Sequence, residues 1–501
     1  MDNSAGITPS LACFRRMNNI IPFPRHEDDP TTKLTKQVDR MLRHWSMASA
    51  KTSDGLLKFE EDLSEVFREA QRSVMKMALE AADDPGDAVL FEGRVCRRVL
   101  NSTQTYVTSV GEVSVERGLF RDRRGSEQSF AVLDKRLGII DGYWTPKAAR
   151  EALWMVTHMV PKKAAEALER VGAMKPSKSS LDRLPKRMSE RWEERRTELE
   201  QVLFETQQVP LGTDVLAVSL DGVYAPIESE EGEGHVEKRA KKHAEGLAAR
   251  GPDAYREVGC GSIAFYGANA EEVLGVVRFG RAPESKKKGV KEMLRLQLAA
   301  ILERSPDLDV VFLSDGAPDH WEFFNELKVK RGRQALDFFH AAEHLNAAYG
   351  AAYGEGSVKA QRAFAEKRHI LRHERDGADV VRRSLARLSG QKGLSANSTR
   401  IVARAVRYFS EHAHRMNYAE LKDLGFPIGS GVMEATCKTL VAQRLKLSGQ
   451  RWSVPGAQAI LTPRGWDQTE RFDEAFALLA ATYEEPVAVY QPVEGRAAAS
   501  R

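Results

Sequence analysis

Asp221, Asp315 and Glu434 are the side chains whose types and spacing suit metal-assisted chemistry on a phosphodiester. Asp221 follows Leu216-Ala217-Val218-Ser219-Leu220, where large apolar residues alternate with small ones, and Asp315 follows Val310-Val311-Phe312-Leu313-Ser314. Both patterns predict short buried strands, the second apolar on both faces. Glycine follows each aspartate (Gly222, Gly316), and the Asp-Gly pair favours a turn, so each carboxylate is expected at a strand end. Glu434 falls in the first turn of a helix predicted to open at Gly429-Ser430-Gly431. Hard Mg²⁺ or Mn²⁺ prefers such carboxylate oxygens. Two ions about 4 Å apart generate the nucleophile and stabilise the leaving oxyanion in phosphodiester cleavage. The expectation is a catalytic trio, Asp221, Asp315 and Glu434, that also ligates two ions per site. Taken singly the residues have plainer explanations: Asp-Gly is a common turn, and Glu434 can pair with Lys438 one helical turn on, worth a few tenths of a kcal/mol.

The elements around these acids follow a legible order. The run ending at Asp221 precedes a charged loop (about 227–256), two further apparent strands (GSIAFYG, VLGVVRFG), and a helix at about 286–305 with Val290, Met293, Leu294, Leu298 and Ile301 on one face. The strand before Asp315, another helix and the short strand QALDFF come next, the last read as Ala335 to Phe339 with a helix starting at His340. Three strands, helix, strand, helix, strand is the order of an RNase H-like α/β domain. Upstream, Thr145-Pro146 starts a helical block. Within it PKKAAEALERVG, a short turn and a Ser177-capped KSSLDRL fit a helix-turn-helix that offers Lys178, Ser179, Ser180 and Arg183 to a DNA groove, with Pro185 expected to cut the second helix short.

In order, SLDGVYAP (219–226), LSDGAPDHW (313–321), LDFFHAAEHL (336–345) and PIGSGVMEATCKTLVAQRLKLSGQRWS (427–453) resemble the DDE transposases of bacterial insertion sequences, especially the ISKra group, over roughly residues 140–480. The resemblance implies an RNase H-like mixed sheet with a helical insertion before the glutamate, and it makes Asp221, Asp315 and Glu434 the catalytic acids, 94 and 119 residues apart. Asp337 and His340 match an auxiliary aspartate-x-x-histidine motif that would position DNA near the scissile strand. Implied as well are Mg²⁺ or Mn²⁺, double-stranded DNA partners (terminal inverted repeats and target), a homo-oligomer on DNA, and strand cleavage followed by strand transfer. One departure is visible: residues 118–130 lack the paired cysteines that members of the group carry before the helical block, so no zinc ribbon is implied.

This gives an expected division into an N-terminal arm and helix (1–85), a small β-containing region (86–144), the helix-turn-helix block (145–208), the catalytic core (209–344 and 426–486) around a helical insertion (345–425), and a flexible tail (487–501). In the first of these, residues 1–50 lack sustained periodicity, and Phe59, Leu63, Val66, Phe67, Val74 and neighbours recur at helical spacing as a core or dimer face. With 42% hydrophobic and 29% charged residues in 501, the chain has the composition of an ordinary globular protein of several domains. A net charge of +4 says little, but residues 162–197 are locally basic, which favours nucleic acid. Cys13, Cys96, Cys260 and Cys437 are far apart and form neither a disulfide framework nor a zinc ribbon. No apolar run reaches membrane-spanning length and no export signal is visible, so a cytoplasmic, nucleoid-associated protein is expected.

Two other functions fit parts of the chain. One is a transposase-derived DNA-binding protein without activity. The other is a zinc peptidase, since His340-Ala341-Ala342-Glu343-His344 satisfies H-x-x-E-H, with Glu411 or Glu420 required as a further ligand.

Overall fold

A computed structural model describes residues 30–47, 51–84, 86–122, 128–228 and 255–490. The chain divides into two units, residues 1–133 with 487–501, and residues 134–486.

The first unit opens with two helices, α1 (Pro30–Met47) and α2 (Ser53–Ala82), so the stretch expected to be an aperiodic arm is helical from Pro30. Trp45 packs on Phe59, with ring centroids 5.1 Å apart. The apolar stripe of α2 buries only Leu79 and leaves Leu57, Phe67 and Val74 exposed, so among the described residues it is not a core face. The sheet that follows has the order β10-β1-β2-β3-β4. Its centre is a long antiparallel hairpin, β2 (Arg94–Thr108) with β3 (Gly111–Arg121), flanked by β1 (Ala88–Phe91) and β4 (Phe130–Ala131). Val487–Val489, in the segment expected to be a flexible tail, pair with β1 as the edge strand β10; residues 491–501 lie outside the described residues, as do 1–29.

The second unit begins with α3 (Val132–Arg136, shared with the first), α4 (Pro146–His158), α5 (Pro161–Val171), α6 (Lys178–Glu194) and α7 (Arg196–Thr206). Ser177 caps α6 by accepting from Ser180 N at 3.0 Å. Pro185 does not cut α6 short, contrary to expectation, and sits buried inside a 17-residue helix. An internal proline costs about 3 kcal/mol. The helix offsets it by burying Leu181, Leu184, Met188 and Trp192 along one face, each large apolar side chain contributing roughly 1.5–3 kcal/mol.

The central sheet has the order β7-β6-β5-β8-β9. Strands β5 (Val215–Pro226), β6 (Tyr255–Tyr266) and β7 (Val273–Arg281) are antiparallel neighbours, while β8 (Asp309–Ser314) and β9 (Gly332–Leu336) run parallel to β5. Leu216, Val218 and Leu220 face a core shared with Val290, Leu294, Leu298 and Ile301 of α8 (Lys288–Arg304); Val215 and Ala217 face the opposite core with Leu421 and Phe426. Burial on both faces accounts for the near-continuous apolar runs. Between β8 and β9 lies α9 (Pro318–Glu326). After β9 come α10 (Phe338–Tyr353), α11 (Val358–His373), α12 (Gly377–Ser389), α13 (Ala396–His412) and α14 (Tyr418–Asp423). The chain returns to the sheet as α15 (Gly431–Thr436), continues through a π-helical stretch Cys437–Ala442 into α16 (Gln443–Leu445), and ends this unit with α17 (Val454–Gln468) and α18 (Phe472–Ala481). No helix among the described residues is long and apolar enough to cross a membrane. Most of the charged loop read at 227–256 falls at 229–254, outside the described residues.

Candidate active site

Strand register aligns three aspartates. Ser219 of β5 pairs with Leu313 of β8, and Leu313 pairs with Ala335 of β9. Two residues further along each strand stand Asp221, Asp315 and Asp337, so they form a row across three adjacent parallel strands, which in sheets lie roughly 4.8 Å apart. Asp315 and Asp337 follow the last residues of β8 and β9 directly.

Asp221 departs from expectation. Its strand does not turn at Asp221-Gly222 but runs on to Pro226, with Asp221 opposite Cys260 and Gly222 opposite Gly259. The glycine leaves room for the Glu257 side chain: a Cβ at residue 222 would lie 2.0 Å from its Oε1 and would displace it. Asp221 therefore acts from within a strand whose parallel partner has already ended. Gly316, with φ +107°, makes the true turn after Asp315.

Each carboxylate has a distinct environment. Asp221 Oδ1 accepts from Gly222 N at 2.7 Å, and its Oδ2 accepts from the Cys437 thiol at 3.8 Å. Burial pushes the Asp221 carboxyl up, the Gly222 N–H opposes this, and the charge of Asp315 pushes it further up. Asp315 Oδ1 accepts from Ser314 Oγ and from Ala317 N, both at 3.1 Å. Behind Ser314 is His320, 2% exposed, with Nδ1 2.9 Å from Ser314 Oγ and Nε2 3.4 Å from Lys287 Nζ. Burial, then the Lys287 charge, lower the His320 pKa, so the ring is neutral; Lys287 donates to Nε2, Nδ1–H donates to Ser314, and Ser314 donates to Asp315. Lys287 also pairs with Glu257 at 2.9 Å. Sequence reasoning missed Lys287 and His320 as parts of the site. The available signals were the Lys286-Lys287-Lys288 run at a helix start and the histidine within LSDGAPDHW.

Asp337 is a buried cap, not an open carboxylate. Its side chain accepts from His340 N at 2.7 Å and from Ser430 N, and Phe338 N donates to Ile428 O at 3.0 Å. α10 therefore starts at Phe338, two residues earlier than expected, and Asp337 ties it to the loop that launches α15. The His340 ring lies 3.8 Å from Asp337 Oδ1 and feels the charge of Asp315. The Asp337 interaction, against burial, raises its pKa from the ordinary 6.5 to about 9. His344 turns elsewhere and stacks on Tyr408 with centroids 3.9 Å apart. The two histidines of H-x-x-E-H thus have different partners.

Glu434 is exposed in α15, one turn before Cys437, whose thiol touches Asp221. The helix that bears it is thus fixed beside the aspartates, and the π-helical stretch starts at that contact. Among the described residues, however, no three His, Cys, Asp or Glu side chains converge as a metal-ion group. Asp221 and Asp315 are brought together; Glu434 is not gathered with them.

Lys178, Ser179 and Arg183 are exposed on α6 and Ser180 is half-buried, with Ser179 and Ser180 hydroxyls 3.1 and 2.9 Å from Ser177 Oγ.

No protein-family model and no curated protein matches this chain. Among solved structures it is similar to the Drosophila P element transposase strand transfer complex, at 10% identity over 69% of this chain and 82% of that one, with a TM-score of 0.24. A second is the Mos1 transposase paired-end complex with left transposon end, at 13% identity over 54% and 78%, with a TM-score of 0.15. Likenesses this loose carry no argument for fold or activity.

Proposed function

We propose that this chain is a DDE-type DNA transposase of an insertion sequence, with an RNase H-like core, which binds terminal inverted repeats and carries out metal-dependent strand cleavage and strand transfer. The observation that carries the reading is the placement of Asp221 and Asp315 at matching register positions on adjacent parallel strands, with the Glu434 helix anchored to the first through Cys437. The sheet order β7-β6-β5-β8-β9, three antiparallel strands and then two parallel ones, supports an RNase H-like core.

The aspartate pair has the donor chemistry of a hard divalent cation, and the raised Asp221 pKa is relieved by one. Asp221 and Asp315 are the ligands in this reading, and Glu434 joins them once DNA is seated. Mg²⁺ or Mn²⁺ supplies the activated nucleophile and stabilises the leaving oxygen. The protein's own contribution is orientation. The Lys287-His320-Ser314 chain holds Asp315, and Gly222 N holds Asp221. His340, kept cationic by Asp337, faces the scissile strand as a phosphate partner. A homo-oligomer on DNA, in the cytoplasm at the nucleoid, completes the reading; the exposed α2 stripe suits such self-association. The direct test is incubation with Mg²⁺ and DNA carrying the ends that flank its own gene. Specific nicks at those ends are expected; intact DNA in both Mg²⁺ and Mn²⁺ contradicts the reading.

α5, the connection 172–177 and α6 act here as the helix-turn-helix. Lys178→Ala and Arg183→Ala, each removing one exposed cation, are expected to weaken duplex binding and to lower the salt slope by about one unit for each phosphate no longer neutralised. Fluorescence anisotropy between 50 and 200 mM salt, roughly the range where such charge pairing dominates, reads this directly. An unchanged slope in both variants removes α6 from the DNA interface.

The His340 pair also sets a pH dependence. With its pKa raised to about 9, against about 6.5 when unfolded, the ion pair's stabilisation is complete below pH ~6.5 and lost as pH rises through ~9. Cleavage and thermal stability should therefore decline on the alkaline side through pH 9, and His340→Ala should abolish that dependence while impairing cleavage. His344→Ala should matter less, and bound zinc should change in neither variant. Equal loss of stoichiometric zinc in both would instead favour the peptidase.

A further inference from the structure

We propose that the cavity between α4, α6 and α17 is a nucleotide-binding site, taking a phosphate together with its attached base. The cavity measures about 390 Å³, in the range of ligand pockets and larger than a bare oxyanion needs. Its floor carries Arg444, which is 1% exposed. Arg444 Nε and Nη2 donate to Val156 O at 3.3 and 3.1 Å, and Nη2 also donates to Met159 O at 3.2 Å. Nη1 is buried and has no protein partner. No carboxylate lies within ion-pair reach of this guanidinium among the described residues; the neighbouring charge is another cation, Arg464. Burial and that repulsion lower its pKa to about 10, which leaves it cationic at neutral pH. A desolvated guanidinium with carbonyl partners, the Trp452 ring centred 5.0 Å away and both N–H groups of Nη1 unspent is costly unless an anion completes it.

The cavity wall repeats the sign. Lys178, Lys186 and Arg451 line it with Arg444, four cations against the single carboxylate of Asp182, which Lys186 already engages at 3.2 Å. A second orphan atom narrows the ligand. Gln450 Oε1 is buried without a protein partner and can only accept. As placed it matches an N–H of a base, and Val156, Leu181 and Ile460 supply apolar wall for a flat ring. A nucleotide carries the anion, the donor and the ring in one molecule. Its source is either a nucleic-acid strand or a free nucleotide. The inference does not rest on the proposed cleavage chemistry.

Isothermal titration of the full chain with dAMP, dCMP, dGMP, dTMP and inorganic phosphate, and with a single-stranded oligonucleotide as competitor, tests it. Saturable binding of at least one nucleotide at one site per chain is expected, roughly tenfold tighter than inorganic phosphate. Arg451→Ala, at an exposed position that does not hold the fold, should weaken nucleotide and phosphate alike. Gln450→Leu should narrow the gap between them, and Arg444→Gln should abolish binding. Displacement of the nucleotide by the oligonucleotide assigns the site to a strand, and binding without displacement assigns it to free nucleotide; either supports the proposal. Absence of saturable nucleotide binding, or affinity unchanged in Arg451→Ala and Gln450→Leu, overturns it. Asp221→Asn should bind nucleotide as wild type does, so failure of this site and failure of the cleavage reading are separable.

Discussion

Asp221→Asn and Asp315→Asn are each expected to reduce strand cleavage by on the order of 10³-fold or more, while the melting temperature in the absence of metal holds or rises. The loss follows from the ligand: an amide lacks the anionic oxygen that a hard cation requires, and removing one preorganised electrostatic partner costs about 10²–10³ in rate even where no metal depends on it. The stability sign follows from the site. Asp221 is desolvated and faces Asp315, so its charge is unfavourable without a cation, while an amide oxygen can still accept from Gly222 N. Glu434→Gln should also stop cleavage and leave apo stability unchanged, since Glu434 is exposed. Thermal melting with and without Mg²⁺ on the same preparations checks both halves. Wild-type cleavage by either aspartate variant removes that residue from the site.

Asp337→Ala is expected to destabilise the fold by about 2–4 kcal/mol, from a missing helix cap together with a buried N–H left unpaired. Asp337 is 1% exposed, and its oxygens serve His340 N and Ser430 N. The second bond holds the loop ahead of Glu434, so cleavage should fall further than His340→Ala alone achieves. Asp337→Asn keeps an acceptor oxygen and should recover part of the stability. It loses the charge, however, and the His340 pKa, followed by NMR, should drop from about 9 toward 6.5. Urea denaturation gives the stability. A loss under ~0.5 kcal/mol, within the range of surface substitutions, would deny Asp337 this anchoring role.

What was legible in the sequence was local. The apolar runs of β5 and β8, the one-faced helix now seen at Lys288–Arg304, and the turn at Gly316 all follow from periodicity and backbone sterics. What was not legible depends on partners distant in sequence. Asp221-Gly222 stays in a strand because Cys260 and Gly259 pair with it across the loop. Pro185 stays in a helix because its neighbours are buried. The spacing of Asp337 to His340 fits a helix cap as well as a chemical pair, and the fold uses it as a cap. The Lys287-His320-Ser314 chain joins residues from three elements, and no spacing rule announces it.

The central claim is that Asp221 and Asp315 jointly hold a divalent cation. Titration of the full chain with Mn²⁺, followed by electron paramagnetic resonance of the free ion, tests it without any DNA substrate. Saturable binding by the wild-type chain is expected, competed by Mg²⁺, tightening with rising pH as the Asp221 carboxyl loses its proton, and abolished in both Asp221→Asn and Asp315→Asn. Binding that survives unchanged in both variants would place the metal elsewhere and contradict the account.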